Sequence, residues 1–306
     1  MSGERVAVIG ATGWVGRHVC AALAAHGHGV VALARSPAAH LSGYPFHPVD
    51  LTSVRPRALA GLLRSERVTA VVNATDAANA RDGWHRPDAV VHEANTTAAL
   101  TLVRAVRELA DPPRLVHLGT LHEYGEQPWG GRVREDEPAR PRGAYARSRL
   151  IASETVLAAA GPGVPDPAVL RLANVCGPHP SPASFPGLLQ RSFRRALAGE
   201  RPSLRIAGDH RDYVDVRDVA RAVVRACERG GGLVNIGGGR AVAVKDMVAR
   251  MVEVTGVPAD AVEQTQGDVD GFGGGWSLAD VSAAERLLGW RPRIPVERSL
   301  HDMWHA

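Results

Sequence analysis

Apolar positions along this chain follow two alternating rhythms, short β-branched runs and longer amphipathic stretches. Arg5–Ile9, Val30–Leu33, Phe46–Val49, Val68–Val72, a run ending at Thr120 and Val169–Leu172 read as strands. Between them, His18–Ala25, Val54–Arg64, Asp88–Leu109 and Tyr145–Ala160 read as helices. Strands alternating with helices at this pace predict an α/β fold built on a doubly wound parallel sheet, with ligands at the carboxyl ends of its strands.

The alternation stops after Leu172. Prolines 178, 180, 182 and 186 mark a boundary and a loop-rich excursion. Helices follow at Leu188–Ala198, up to Arg229, and at Val244–Thr255, Asp280–Leu288 and Val296–Trp304, with strands at Ser203–Ile206 and Leu233–Ile236. This pattern predicts a dinucleotide-binding domain over residues 1–175, with returning elements near 210–237. Residues 176–209 and 238–306 would form a smaller C-terminal α/β substrate lobe. Arg81–Pro87 and Pro178–Gly187 read as irregular loops, and the one low-complexity patch, Gly267–Gly275, as a surface loop.

Composition changes this picture little. At 306 residues, 45% apolar and 22% charged, the chain is long enough for a large core. Of 36 basic residues only Lys245 is lysine, and the arginines are spread through helices rather than gathered in a stripe, which argues against nucleic acid. A net charge of +4 favours anionic ligands. Cys20, Cys176 and Cys227 lie far apart with no C-x-x-C spacing, so neither a disulfide framework nor a metal site is expected. The chain opens directly into a strand and holds no apolar run of membrane-spanning length, so a cytoplasmic protein without membrane contact is expected.

The first candidate chemistry lies after the first strand. G-A-T-G-W-V-G places Gly10, Gly13 and Gly16 between strand and helix, one residue off the G-x-G-x-x-G fingerprint of a Rossmann fold. There a pyrophosphate can rest on backbone amides at the helix N-terminus. The second strand ends in Ala34 and then Arg35 and Ser36. An NAD-preferring site would carry an acid there for the ribose 2′-hydroxyl, whereas arginine and serine suit a 2′-phosphate, so NADP(H) is expected ahead of NAD(H). Asp50 and Leu51 end the third strand and could meet the adenine; Ala74 and Thr75 follow the fourth and are small enough for close approach.

The second candidate lies between residues 114 and 149. A strand ends in Thr120, and 25 positions later Tyr145 opens a helix that carries Arg149 one turn on. Tyr145 and Arg149 share a helix face. A phenol beside a fixed cation has its ionised form favoured, so the spacing predicts a Tyr145 pKa below the ordinary value of about 10 and a role as acid or base.

Together, G-A-T-G-W-V-G, Asp50-Leu51, Asn95 on a long helix, Thr120, Tyr145-x-x-x-Arg149, N-V-C-G-P, R-D-Y-V-D-V and G-W-R-P resemble the extended short-chain dehydrogenase/reductase family, the epimerase/dehydratase group acting on nucleotide sugars. The match runs in order over essentially the whole chain. L-G-T-L-H-E-Y-G with G-P-x-P and S-F-P-G-L-L looks most like actinomycete 4-ketoreductases of dTDP-4-keto-6-deoxyhexoses. The resemblance implies Tyr145 as proton donor to the substrate carbonyl, Thr120 as its partner, and Arg149 where the family has lysine. It implies a cofactor site of Gly10, Thr12, Gly13, Trp14, Val15, Gly16, Arg35, Ser36, Asp50, Leu51, Ala74, Thr75 and Asn95, completed by Tyr145 and Arg149. His122 and Asn174 would face the sugar, and Arg211 and Arg291 would grip the diphosphate. No metal is implied, and a homodimer through the Asp88–Leu109 and Tyr145–Ala160 helices is. Two other readings stand beside the reductase: a nucleotide-sugar epimerase retaining NAD, and a non-catalytic NADP(H) sensor.

Overall fold

The structure, a computed structural model, describes residues 4–76, 87–206, 208–229, 231–266 and 275–306. Among these, seven strands form one parallel sheet: β1 (Arg5–Ile9), β2 (Gly29–Ala34), β3 (Phe46–Pro48), β4 (Ala70–Asn73), β5 (Arg114–Thr120), β6 (Ala168–Leu172) and β10 (Gly232–Ile236). Their order across the sheet is β3-β2-β1-β4-β5-β6-β10. The chain runs outward from β1 to β3 and then returns to lay β4 on the other side of β1. That reversal opens a crevice at the carboxyl ends of β1 and β4. The fold is therefore the doubly wound α/β fold that the alternation predicts.

Period-2 alternation divides the core between two faces. Val6 and Val8, Val30 and Ala32 point to one side; there α1 (Trp14–Ala25), α6 (Val216–Arg229) and α8 (Ser282–Leu288) add Val19, Leu23, Val219, Val223 and Leu288. Ala7 and Ile9, Val31 and Leu33 point to the other. There α2 (Pro56–Ser65), α3 (Asp88–Arg107) and α4 (Gly143–Leu157) bring Leu59, Leu63, Leu102, Val106, Ala152 and Val156. α1 starts at Trp14, four residues before the predicted His18, because the glycine turn itself delivers the chain in helical register at Gly13.

The C-terminal elements build a separate core. β9 (His210–Asp215) pairs with β7 (Asn174–Cys176), with β11 (Ala241–Ala243) and with β13 (Trp276–Ser277). β8 (Ser203–Ile206) pairs with β12 (Glu263–Gln266). α5 (Phe185–Leu197), α7 (Val244–Thr255) and α9 (Val296–His305) close over them with Leu189, Phe193, Met247, Met251, Leu300 and Met303. Apart from β8, none of these short strands is apparent from the apolar pattern. β9 reads H-R-D-Y-V-D, yet five of its six residues are buried.

The charges in β9 and α6 are largely structural. Arg217 forks onto the Asp215 carboxylate at 2.8 Å through Nε and Nη2, and reaches Asp302 on α9 at 2.7 Å. Asp218 accepts from the amides of Arg293 and Ile294, both at 2.9 Å, while the Trp290 indole donates to its carbonyl. Trp290 of G-W-R-P and the two residues just past the motif thus fasten the C-terminal segment to α6. The cysteines are buried thiols, each pushed up to about 12 by burial. Among the described residues no helix is long and apolar enough to cross a membrane. The predicted loops at 81–87 and 267–275 lie outside the described residues except at their last positions.

Candidate active site

The glycine turn sits in the crevice. The amide of Gly10 donates to Leu33 O at 2.9 Å and that of Gly13 to Gly10 O at 2.9 Å, folding the chain back before α1. A Cβ on Gly16 would collide with the Gly10 carbonyl, so only glycine lets the helix start this close to the turn. The N-terminus of α1 has no side-chain cap and no acid in its first turn. Uncapped amides with the positive end of the helix dipole are the donor set a pyrophosphate requires, and the residues present fit a dinucleotide. Burial pushes the nearby Asp50 carboxyl up, but the Thr52 hydroxyl and amide, at 2.7 and 2.9 Å, together with Arg35, exposed just past β2, hold it below its usual range.

The same helix is tied to the loop after β7. Trp14 Nε1 and His18 Nε2 both donate to the carbonyl of Pro178, at 2.8 and 3.1 Å. Because that oxygen only accepts, the His18 proton resides on Nε2. Burial lowers the His18 pKa to about 4, so the ring stays neutral.

Tyr145 and Arg149 emerge from α4 beside the ends of β4 and β5. The Tyr145 hydroxyl donates to Asp76 Oδ2 at 2.9 Å. Arg149 is 3% exposed and donates from Nη1 to Thr75 O at 3.0 Å and from Nη2 to Leu118 O. The expected lowering of the Tyr145 pKa is overturned by this arrangement. Burial and then the Asp76 carboxylate push the phenol well above its ordinary value, and the opposing pull of Arg149 does not offset them. Helix spacing places the cation but reveals neither the burial nor the carboxylate.

Thr120 ends β5 and caps the helical turn Leu121–Tyr124: its Oγ1 accepts from the His122 amide at 3.3 Å, while Glu123 Oε1 accepts from the Thr120 amide at 2.9 Å. The Thr120 O–H keeps its own donor capacity. The His122 ring meets the Tyr145 ring edgewise, centroids 6.3 Å apart, so the turn after β5 and the start of α4 form one site. Beneath it Glu123, fully buried, pairs with Arg171 Nε on β6 at 2.7 Å and accepts from Ser153 at 3.0 Å; Arg171 also lies 4.3 Å over the Tyr124 ring. The sequence reading missed Glu123, although T-x-x-E is a capping-box signature, and missed Asp76.

The remaining predicted residues fall around this centre. Asn95 is buried on α3 and donates to Ser148 Oγ at 3.0 Å, and Ser148 donates to Tyr145 O at 2.8 Å, bracing the start of α4. Asn174 opens β7 and approaches Asp212 O at 3.5 Å. Arg211 is buried on β9, pairs with Asp209, and keeps Nη1 without a partner among the described residues. Arg291 is exposed, pairs with Glu285, and shares no described contact with Arg211.

A model of the NAD dependent epimerase/dehydratase family matches residues 6–237, and the chain belongs to that family, the extended branch of the short-chain dehydrogenases/reductases. It is a nicotinamide-dinucleotide-dependent enzyme of that branch. The chain is 37% identical to a dTDP-6-deoxy-L-talose 4-dehydrogenase (NAD(P)(+)) of Kitasatospora kifunensis, over 99% of its length and 95% of the relative's. A UDP-glucose 4-epimerase of Azospirillum brasilense is 30% identical over 94% of this chain and 87% of its own. Among solved structures, a Thermus thermophilus UDP-glucose 4-epimerase in complex with NAD superposes with a TM-score of 0.86 at 27% identity, covering 99% and 98% of the two chains.

Proposed function

We propose that this enzyme interconverts the C4 hydroxyl and the C4 ketone of a dTDP-linked 6-deoxyhexose, using NADP(H). The observation that carries this reading is the 37% identity, over nearly the full length, to a dTDP-6-deoxy-L-talose 4-dehydrogenase. A dehydrogenase and a ketoreductase name the two directions of one reversible hydride transfer. The site supports it chemically: a phenol at Tyr145, a donor hydroxyl at Thr120 and a buried cation at Arg149 surround the carboxyl ends of β4 and β5. The turn Leu121-His122 after Thr120 offers no acid pair for water elimination. When bound, the dinucleotide supplies or accepts the hydride. Gly10 to Gly16 and the α1 amides would hold its phosphates, Arg35 and Ser36 a 2′-phosphate, and Arg149 its nicotinamide ribose. Tyr145 exchanges the proton with the sugar oxygen and Thr120 orients that oxygen. Arg211, Asn174 and the C-terminal lobe receive the nucleotide sugar, Arg211 with a buried unsatisfied nitrogen suited to a phosphate oxygen.

The test is dinucleotide absorbance with a dTDP-6-deoxyhexose and NADP⁺, and with the matching 4-ketone and NADPH. Net turnover in both directions is expected, faster with the phosphorylated dinucleotide, with Arg35→Glu reversing that preference. An epimerase would give an inverted sugar with no net change in the dinucleotide, and that outcome would sink the proposal. Arg149→Lys is expected to remain active, since it keeps the cation.

We further propose a homodimer through α3 and α4, which pack together and leave Val90, Leu100 and Ile151 exposed at 46, 42 and 39%. Sedimentation of the whole chain should give a two-copy mass, and Leu100→Asp with Ile151→Asp a single-copy mass. A wild-type monomer at micromolar concentration would refute it.

A further inference from the structure

A phenol has one proton to donate, and that of Tyr145 is already committed to Asp76 Oδ2 at 2.9 Å. With Asp76 ionised, Tyr145 offers an incoming group only its lone pairs. It is then an acceptor for a substrate hydroxyl and not a donor to a substrate ketone. Arg149 cannot change this, because a guanidinium stays protonated and its Nη groups are fastened to the carbonyls of Thr75 and Leu118. The segment Ala74–Asp76, at the end of β4, thus grips both members of the Tyr145–Arg149 pair, the cation by a backbone carbonyl and the phenol by a carboxylate.

We propose that Asp76 is the terminal proton acceptor of this site and that Tyr145 is a relay between it and the substrate oxygen; this rests on the dehydrogenase reading above. In the oxidising direction the substrate O–H proton moves to Tyr145 Oη as the Tyr145 proton moves to Asp76 Oδ2. The C–H bond breaks with its electron pair, taken up as hydride by the oxidised nicotinamide dinucleotide, and the C=O double bond forms. The alcohol becomes a ketone, the carboxylate a carboxylic acid, and Tyr145 ends as the neutral phenol it began. Asp76 then returns its proton to solvent. Reduction runs the same path backwards and starts from protonated Asp76.

The arrangement explains how a phenol whose ionisation is suppressed can still serve. Burial and Asp76 hold Tyr145 neutral, and a relay needs no standing phenolate. Among the described residues, the other groups facing the pair are Arg149 from α4, His122 and Glu123 from the turn after β5, and His117 from β5. Glu123 is neutralised by Arg171. His117 is held neutral by burial, aided by Arg149, and is hydrogen-bonded to Asn73 at 3.1 Å.

The experiment compares wild type, Asp76→Asn, Asp76→Glu and Tyr145→Phe as whole enzymes. Asparagine keeps the size and can still accept the phenol proton's hydrogen bond but cannot take the proton. Asp76→Asn is expected to lower kcat for oxidation at least tenfold with little change in KM, and to lose the acid limb of the wild-type pH profile. Glutamate should restore both. A purely bracing role would change thermal stability or KM and leave the pH profile in place; that result would overturn the relay. A second reading comes from ultraviolet titration of the phenol, with Tyr145→Phe as reference: Asp76→Asn should bring Tyr145 ionisation to lower pH. An unmoved titration overturns the pairing. If wild type turns over no nucleotide sugar, the substrate assignment fails, while the titration still decides whether Asp76 governs the tyrosine.

Discussion

Tyr145→Phe is expected to lower turnover by about 10²–10⁴-fold, the range that a positioned acid or base contributes. The substitution keeps the ring against His122 and removes only the hydroxyl, so the edge contact at 6.3 Å and the fold should survive. What is lost, on the proposed mechanism, is the oxygen through which a proton passes between substrate and protein. Each tenfold corresponds to about 1.4 kcal/mol of transition-state stabilisation. Because the proposed role places the hydroxyl at the sugar oxygen, the loss should fall on kcat, with dinucleotide affinity within a few fold of wild type in a fluorescence titration. A variant retaining more than a tenth of the wild-type rate would remove Tyr145 from the chemistry.

Glu123→Ala should unfold the protein more readily by about 3–5 kcal/mol, measured by urea denaturation. The carboxylate is fully buried and its charge is met by Arg171, itself 4% exposed. Removing one partner strands the guanidinium without water or counter-ion. The same carboxylate caps the turn after β5 through the Thr120 amide and receives Ser153 from α4, so three elements lose a shared acceptor. Gly119 exists for this group: a Cβ there would lie 2.6 Å from Glu123 Oε1. Glu123→Gln retains the cap but not the charge and should cost less. A loss below about 1 kcal/mol for the alanine variant would mean that the pair contributes little net stability.

How far the sequence reveals this depends on what each residue leaves in the local pattern. The parallel sheet was legible because β1, β2, β4, β5 and β6 are short β-branched runs between amphipathic helices. The second sheet was not, since β9 places charged residues at buried positions and satisfies them with partners far along the chain. Asp215 receives the Ser299 hydroxyl across 84 residues. Tyr145 and Arg149 stand out as one helical turn, whereas Asp76 joins them across 69 residues and marks itself only as an acid after a strand. Glu123 did leave a signal, the T-x-x-E spacing from Thr120. Charge spacing alone predicts a lowered Tyr145 pKa; burial, which decides its direction, has no local signature.

The carbonyl of Pro178 receives both Trp14 and His18. Two hydrogen bonds of ordinary strength, about 1–3 kcal/mol together, therefore join the start of α1 to the loop after β7. Replacing Trp14 with phenylalanine removes one of the two and leaves His18 alone to hold that oxygen. A single peptide oxygen thus fixes where the loop after β7 lies against the start of α1.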